Sequence, residues 1–397
     1  MNNSKKIYQE NSYLTSLCST VVRCDKKNDF YEVVLDETIF YPHLSGGQPK
    51  DEGILNNLKV IDVIEKDDEI IHVVKNPVEG SVNLKIDFEV RFDYMQQHTG
   101  QHILSFAIAK LYGGNTVGFH LGSDYTTIDI DKELNDETIE KAEIYANEII
   151  YKNKQIKFQT LNYEEAIKLN LRKMPPNLSN FRIMEIEEIE YNACGGTHVK
   201  STGEVGIIKV VKIEKNKNGS RIYFLCGKRA LKDYYKKNND LNDLSKLLTC
   251  GIELIYENIE KLKNENKINK KLISTLQDNL NKFYAEELNT QAIKSNDLNY
   301  IFHKYENMDI KDLKYICSKT VEKDNYVSVL ISESNNLINI CVGQSKNLKL
   351  DLKSLFEKLK IMLNAKGGGN NYLLQGTGDV LRGDDCLRLA KEILFEE

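Results

Sequence analysis

Two histidines, His98 and His102, lie four residues apart in the segment FDYMQQHTGQHILSFAIAKLYGG, whose apolar residues predict a helix. Side chains at this spacing project from the same face of a helix, so the two imidazoles could hold one metal ion. An ordinary pair of helix residues is the alternative, because HxxxH is a short and common pattern. The pair predicts a metal site only if further ligands are found elsewhere in the chain.

A second pair of ligand-type residues stands in the segment NACGGTHVKSTGEVG, where Cys194 and His198 are again four residues apart. Thiolate and imidazole are the ligands that zinc prefers in proteins. Gly195 and Gly196 lie between them, and a glycine turn lets the backbone bring both donors to one point. The two pairs together predict one zinc ion per chain, bound by His98, His102, Cys194 and His198.

Other metal and nucleotide chemistries lack their sequence signatures. A metalloprotease helix would read HExxH with a glutamate base, and here Thr99 follows the first histidine. A zinc deaminase would need HxE followed by CxxC, and neither is present. The chain has no Walker A loop and no dinucleotide fingerprint. The four residues therefore indicate a zinc site of another class.

The composition describes a chain of 397 residues with 41% hydrophobic residues, 28% charged residues and a formal net charge of −5. The length is enough for two or three domains, and the net charge predicts that any nucleic acid is bound by local patches. The 8 cysteines are irregularly spaced, unlike a disulfide framework. The amino-terminal segment lacks the apolar core of a signal peptide, and no stretch is long enough to span a membrane. We therefore expect a reduced, cytoplasmic protein.

The elements that position the four ligands are predicted to be of the α+β class, in four regions. Residues 1–88 alternate in the manner of strands and predict a small β-barrel or β-sandwich. Residues 89–227 mix helices and strands around the ligands, with antiparallel pairing. Residues 228–292 predict a helical segment, and residues 293–397 an α/β domain with a glycine-rich loop before its last helix.

The helical segment has apolar residues at steps of three and four, which predict a long helix or helical hairpin with a coiled-coil seam. Asn266 and Asn269 occupy seam positions, where polar residues fix register or partner. A solvated helical spacer is the alternative. We expect a homodimer formed through this segment and the C-terminal domain.

Four motifs occur in the order found in alanyl-tRNA synthetase editing domains and their freestanding relatives, the AlaX proteins: TIFYPHLSGGQP, QQHTGQH, TVGFHLG and CGGTHV. The segment AKGGGNNYLLQGTGD resembles the glycine-rich motif of DHHA1, the accessory domain that ends alanyl-tRNA synthetases and the long AlaX form. Over essentially its whole length the chain resembles a long-form alanyl-tRNA editing protein. The resemblance implies a zinc editing domain of the threonyl/alanyl-tRNA synthetase type and a C-terminal DHHA1 domain.

The same resemblance implies an activity, namely hydrolysis of the ester that joins a wrong amino acid, chiefly serine and in some members glycine, to alanine tRNA. Thr116 is the candidate for sensing the serine hydroxyl, with a structural strand threonine as the alternative. Further substrate-binding or catalytic candidates are Gln48, His120, Gly46, Gly47, Gly195 and Gly196. For the SGGQ loop a plain turn is the alternative. The candidates for binding tRNA are Lys366, Gly367, Gly368, Gly369 and Asn370.

The sequence departs from the family pattern in two places. The loop between Pro42 and Gly46 is one residue longer than the usual form, which allows different contacts there. Asn370, Asn371 and Tyr372 follow the triple glycine, where the synthetases commonly have Arg-Pro-Asp. An arginine-dependent RNA contact is therefore not implied at this point.

Three functions other than ester hydrolysis have sequence requirements of their own. A non-catalytic tRNA-binding module with a structural zinc stays open, since four protein ligands would close a tetrahedron and catalytic zinc usually keeps a position free. A phosphoesterase of the DHH type would need an Asp-His-His signature that the chain lacks. A complete alanyl-tRNA synthetase is not expected, because the editing-type region starts almost at residue 1.

Overall fold

Strands and helices are mixed along the whole chain, as the computed structural model shows for residues 4–43, 45–172, 181–217, 219–334 and 336–396. The helices are α1 Ile7–Glu10, α2 Phe88–Tyr112, α3 Asp136–Tyr151, α4 Tyr163–Ala166, α5 Gly227–Leu248, α6 Ile255–Thr290, α7 Ile310–Thr320, α8 Leu352–Met362 and α9 Gly383–Glu396. The strands of the first half are β1 Lys5–Lys6, β2 Ser16–Lys27, β3 Phe30–Leu35, β4 Glu37–Thr38, β5 Gly53–Leu55, β6 Leu58–Lys59, β7 Asp62–Lys66, β8 Glu69–Val74, β9 Ser81–Ile86, β10 Thr116–Leu121, β11 Thr126–Ile130, β12 Ile156–Leu161, β13 Phe181–Ile186 and β14 Glu190–Ala193. The later strands are β15 Ile208–Asn216, β16 Gly219–Cys226, β17 Ile293–Ser295, β18 Leu298–Glu306, β19 Tyr326–Ser334, β20 Leu337–Gln344, β21 Lys366–Gly369 and β22 Leu373–Gly378. The chain divides into two units, Met1–Leu244 and Ser245–Glu397.

The amino-terminal region is a seven-stranded antiparallel sheet in the order β6-β5-β9-β2-β3-β8-β7. Its strands alternate as a half-buried sheet requires, and in β9 the side chains of Val82, Leu84 and Ile86 are buried while their neighbours are exposed. These side chains belong to one apolar core with Val33, Leu35 and others. The β structure expected for residues 1–88 is therefore present, whereas closure into a barrel stays a prediction.

The region that holds the four predicted ligands is built on two antiparallel sheets, in the orders β10-β11-β16-β15 and β12-β13-β14. Helices α2 and α3 share one buried core with the first of them, to which Leu104 and Ile108 of α2 and Ile149 of α3 contribute. The expected antiparallel pairing is confirmed here. The ligand-bearing helix is thus held along its length by packed apolar side chains.

The predicted helical segment consists of α5 and α6, with Gly251 between them. The carboxyl-terminal region that follows is a six-stranded sheet in the order β17-β18-β19-β20-β22-β21, in which only the β18–β19 pair is parallel. One apolar core involves α8 and α9, and a second involves α7 and the end of α6. Among the described residues no helix is long and apolar enough to cross a membrane.

The prediction of a glycine-rich loop before the last helix is wrong, because Lys366–Gly369 forms the edge strand β21 and pairs with β22. A Cβ on Gly367 would lie 2.1 Å from the carbonyl oxygen of Gln375, and one on Gly369 would lie 2.1 Å from that of Leu373. The close approach of the two strands therefore requires glycine. The glycine-rich composition of this segment predicted a loop and did not reveal its pairing with β22.

Candidate metal centre

Helix α2 presents His98 and His102 on its buried face, one turn apart. The helix begins after Asp87, whose carboxylate accepts hydrogen bonds from the backbone N–H groups of Glu89 and Val90, and it ends at Gly113 with a left-handed backbone. The two imidazole centroids are 5.3 Å apart. Both rings are buried, so the pair lies inside the fold rather than on a solvated helix face.

Cys194 and His198 come from the loop that follows β14, and this loop passes directly against His98. A Cβ on Gly196 would lie 2.2 Å from Cε1 of His98, so only glycine permits the approach. Arg182 on β13 holds the loop, because its guanidinium donates hydrogen bonds to the carbonyl oxygens of Cys194 at 2.9 Å and Gly196 at 2.8 Å. The glycine pair predicted to bring the two donors together therefore does so with the help of a neighbouring strand.

The donor atoms of His98, His102, Cys194 and His198 all lie within 4.8 Å of one another. Sγ of Cys194 is 3.4 Å from Nε2 of His98 and 3.2 Å from Nε2 of His198. Both ring nitrogens of His102 are buried without a hydrogen-bond partner among the described residues. A buried polar atom without a partner is costly, and a metal ion would satisfy it. Three imidazoles and one thiol form a donor set that suits zinc.

Side chains behind the cluster orient two of the histidines. Nδ1 of His98 is 3.0 Å from Oε1 of Gln48, which also accepts a 3.2 Å hydrogen bond from the backbone N–H of Thr197. Nδ1 of His198 is 3.1 Å from Oγ1 of Thr99. If each Nδ1–H donates to its oxygen, the Nε2 atoms keep their lone pairs facing the cluster, as is usual for metal-binding histidines.

Burial favours the neutral form of every group in the cluster. It lowers the pKa of His98 to about 3, with a further contribution from the charge of Arg182, and it holds the pKa values of His102 and His198 well below their ordinary range. Burial also raises the pKa of the Cys194 thiol. At neutral pH the imidazoles are therefore unprotonated and able to bind a cation, and a bound cation would in turn favour the thiolate.

The cluster lies at a cleft of about 540 Å³ that also contains several of the predicted substrate residues. Gly46, Thr116 and Gly195 line this cleft, together with Gln101, Asn115, Val117, Phe119, Arg172, Asn192 and Ala193. Gly47 lies behind it with φ +83°, and a Cβ there would be 2.7 Å from the ring of Phe119. The structure thus brings the SGGQ loop and the four predicted ligands to the same place.

Four of the predicted substrate residues are not among those that line the cleft, namely Gly47, Gly196, Gln48 and His120. Gln48 is fully buried behind His98, where its Nε2 donates a 2.8 Å hydrogen bond to Oγ1 of Thr197. His120 is exposed and is not among the residues lining the cleft. The pairing of β10 with β11 shifts by one residue between Thr116 and Gly118, which is a β-bulge. The bulge lies between Thr116 and Phe119, which both line the cleft although they are an odd number of positions apart along the strand.

Comparison with known proteins agrees with this geometry. Residues 181–223, which include Cys194 and His198, match the family described as the threonyl and alanyl tRNA synthetase second additional domain. Over 392 residues the chain is 34% identical to the alanyl-tRNA editing protein AlaX-L of Pyrococcus horikoshii, a match that covers 94% of each chain. The chain belongs to the alanyl-tRNA editing protein family.

Other relatives include both editing proteins and ligases. The chain is 32% identical over 303 residues to the alanyl-tRNA editing protein Aarsd1-A of Xenopus laevis, covering 72% of this chain and 73% of that protein. It is 31% identical over 410 residues to the alanine–tRNA ligase of Pyrococcus abyssi, covering 98% of this chain and 44% of the ligase. The solved C-Ala domain of Aquifex aeolicus alanyl-tRNA synthetase aligns with 26% of this chain and 97% of its own, at 23% identity and a TM-score of 0.25.

Three arginines of this editing protein were missed by sequence reasoning. Arg182 holds the ligand loop, and Arg172 lines the cleft. Arg91 is fully buried and pairs with Asp51 just after the SGGQ loop, with Nε donating to Oδ1 at 2.7 Å. A signal existed for two of them, since Arg91 stands among apolar residues at the start of a predicted helix and Arg182 in a predicted strand.

The residues predicted to bind tRNA belong to the other unit of this editing protein. Lys366, Gly367, Gly368 and Gly369 form the exposed strand β21. Asn370 ends the strand, and its side-chain oxygen accepts hydrogen bonds of 2.9 Å from the backbone N–H groups of Tyr372 and Leu373. Their role in binding tRNA stays a prediction.

Proposed function

We propose that this chain hydrolyses the ester bond of alanine tRNA mischarged with serine or glycine, and that it binds one zinc ion through His98, His102, Cys194 and His198. The observation that carries the proposal is the convergence of these four donors within 4.8 Å beside an open cleft. An editing protein that matches 94% of this chain supports the substrate class. A zinc ion at this position would supply Lewis-acid chemistry to an ester carbonyl or to a water molecule.

The protein's own residues orient the ligands and shape the cleft. Gln48 holds the ring of His98 in one orientation and ties it to the backbone of Thr197. Phe119 stacks on the other side of His98, with ring centroids 5.2 Å apart. The ligand positions are thus set before a substrate arrives, which lowers the cost of ordering the site during the reaction.

Discrimination between serine and alanine is assigned to Thr116. An alanine pocket rejects an added hydroxyl poorly, so a second site that recognises the hydroxyl is needed. Oγ1 of Thr116 donates a 2.7 Å hydrogen bond to Oγ of Ser105, which also accepts a 2.8 Å hydrogen bond from Nε2 of Gln101. With its hydrogen used in this way, Thr116 offers a lone pair to the hydroxyl of a misattached serine.

The proton of the attacking water is carried by the substrate or by solvent. No Asp or Glu is among the described residues that line the cleft. A ribose hydroxyl next to the ester, or a second water molecule, is therefore the proton acceptor in this proposal.

The test is a deacylation assay with alanine tRNA charged with serine, glycine or alanine. We expect rapid release of serine, slower release of alanine, and loss of serine release in Cys194→Ala together with loss of bound zinc. Tyr151→Ala is a control, since its side chain is exposed on α3. Binding of the charged tRNA without release of serine would instead favour a non-catalytic tRNA-binding module with a structural zinc.

The finer features of the fold and its partners are proposals of the same kind. We propose that residues 1–88 form the small β-barrel of the family and residues 293–397 its DHHA1 domain. The exposed glycine strand β21 would contact the tRNA backbone, and the apolar face of α6 would form a coiled-coil homodimer. The cytoplasmic location expected from the sequence stays a prediction.

A further inference from the structure

The face of β14 that leads to Cys194 continues away from the metal cluster as a row of buried polar side chains. In this strand Glu190 and Asn192 are buried while Tyr191 and Ala193 are more exposed. Successive side chains of a strand point to opposite faces, so Glu190 and Asn192 point the same way. Asn192 lines the same cleft as Cys194, and its amide nitrogen is buried without a hydrogen-bond partner among the described residues.

An arginine from a neighbouring segment completes this row. A β-bridge between Leu171 and Tyr191 fixes Arg172 beside β14. Nε of Arg172 is 3.2 Å from Oε2 of Glu190, and the two side chains are 17% and 4% exposed. A carboxylate buried to this extent needs an opposite charge, and burial raises the pKa of Glu190 to about 7 despite the arginine.

The guanidinium of Arg172 has more N–H donors than the shortest contact of the ion pair engages. Arginine has five N–H donors, and the contact with Glu190 engages Nε. Within the described part of the chain, no hydrogen bond from the two Nη groups is found, and the side chain lines the cleft. The ion-paired guanidinium therefore lies at the wall of the cleft beside the metal cluster.

We propose that Arg172, positioned by Glu190, binds the 5′-phosphate of the terminal nucleotide of the tRNA while the ester lies at the four metal ligands. This inference rests on the proposed function and adds a binding contact to it. A guanidinium matches a phosphate by paired hydrogen bonds, and such contacts fix the register of a nucleic acid without reading its sequence. The nucleotide that carries the ester has the phosphate nearest to the cluster.

The position of the Arg172–Glu190 ion pair along the strand favours a phosphate, rather than the ester carbonyl, as the group that Arg172 binds. Glu190 precedes the metal ligand Cys194 by four residues, which corresponds to roughly 13 Å along an extended strand. The reacting carbonyl belongs at the cluster itself, next to Cys194. Asn192, between the two positions, offers its amide N–H to an oxygen of the ribose.

The test compares two minimal substrates, adenosine esterified with serine on its ribose and the same ester of adenosine 5′-monophosphate. For the wild-type protein we expect kcat/KM to be at least tenfold higher with the phosphate, mainly through KM. In Arg172→Ala this preference should fall to within about twofold, and Arg172→Lys should restore part of it. Arg388→Ala, at an exposed arginine of α9, is the control and should keep the wild-type preference.

A binding measurement keeps the inference separate from the proposed function. By ligand-observed NMR, wild-type protein should bind adenosine 5′-monophosphate at least tenfold more tightly than adenosine, and Arg172→Ala should lose the difference. Glu190→Gln, which removes the anchoring charge but keeps the shape, should weaken the preference as well. Failure to hydrolyse charged tRNA, with this binding preference intact, would overturn the proposed function alone. Equal binding of adenosine and adenosine 5′-monophosphate by wild type, or an unchanged phosphate preference in folded Arg172→Ala, would overturn the role of Arg172.

Discussion

Gln48 shows how a single side chain connects two parts of the site. Its amide oxygen faces Nδ1 of His98 and the backbone N–H of Thr197, and its amide nitrogen donates to Oγ1 of Thr197. Gln48 is fully buried, and both the oxygen and the nitrogen of its amide are engaged in these contacts. A substrate-binding role would require these bonds to be given up. Orienting a metal ligand is the role that the contacts support.

We expect Gln48→Ala to weaken zinc binding by about 10–100-fold, the usual effect of losing a hydrogen bond to a ligating histidine. Competition with a chelating dye at fixed pH measures the affinity. Gln101→Ala is the matched control, since Gln101 lines the cleft on the same helix but bonds to Ser105 rather than to a ligand. Equal zinc affinity in Gln48→Ala and wild type would contradict the orienting role.

Replacing Thr116 with valine should reduce the preference for serine over alanine, because valine keeps the shape and removes the hydroxyl. The expected loss is on the order of 1–3 kcal/mol, the cost of leaving a buried polar group unpaired. The measurement is the ratio of deacylation rates on serine- and alanine-charged tRNA at equal zinc content. Thr127→Val, on the neighbouring strand and away from the cleft lining, should keep the ratio. An unchanged ratio in Thr116→Val would leave Thr116 as a structural strand residue.

Helix α6 has an apolar seam that is largely exposed among the described residues. Ile259, Leu262, Ile273, Leu276, Leu280 and Phe283 are all 43–64% exposed. Asn266 and Asn269 occupy the intervening positions of the same heptad pattern. The buried residues of the carboxyl-terminal half of the helix, Asn281, Ala285 and Leu288, lie on another face and hold α6 to its own unit. We propose that a second copy of the chain covers this exposed seam.

We expect the protein to sediment as a dimer and Leu276→Glu to raise its dissociation constant by more than about tenfold, because a charge would be buried in the seam. Analytical ultracentrifugation over a range of protein concentrations measures the dissociation constant of the dimer. Ser274→Glu adds the same charge at an exposed position outside the seam and should leave the dimer intact. A monomeric wild-type protein, or equal dissociation of both variants, would favour the solvated spacer.

The stability of the whole molecule should depend on pH through a histidine that is not part of the metal cluster. His72 on β8 is fully buried, with Nε2 2.8 Å from Oγ1 of Thr38 and Nδ1 3.2 Å from the carbonyl oxygen of Val33. Burial lowers the pKa of His72 to about 4, against an ordinary value near 6.5 in the unfolded chain. Between these pH values the unfolded chain binds more protons than the folded protein. The contribution of His72 to the free energy of unfolding is therefore complete above pH 6.5 and declines as the pH falls towards 4.

In metal-free protein the free energy of unfolding should therefore fall as the pH is lowered from about 6.5 to 4, with His72 contributing on the order of 3 kcal/mol. Urea denaturation at several pH values measures the slope. His72→Gln cannot take up this proton and should show a shallower decline. His43→Gln is the control, because His43 is exposed. Identical slopes for wild type and His72→Gln would show that other groups determine how the free energy of unfolding depends on pH.

Local patterns in the sequence were enough to predict most elements and the four donor residues that the fold brings together. The four-residue spacing of His98 and His102 places both on one helix face, and the glycines between Cys194 and His198 allow a tight loop. Apolar periodicity likewise predicted β-rich, mixed and helical regions, because the side-chain repeat of a helix or strand is encoded within a few residues. The zinc motifs in their order also indicated the family, which the match to an editing protein over 94% of the chain shows.

Contacts between distant residues were decided only by the tertiary structure. Gln48 and Thr197 are 149 positions apart, and the sequence of neither segment predicts the hydrogen bonds between them. The bulge in β10 controls which side chains of that strand reach the cleft, and Arg172 meets Glu190 only because a β-bridge brings their segments together. The pairing of the glycine strand β21 depends in the same way on its partner β22. Such contacts follow from how packed elements meet, and the periodicity of a single segment contains no information about its neighbours.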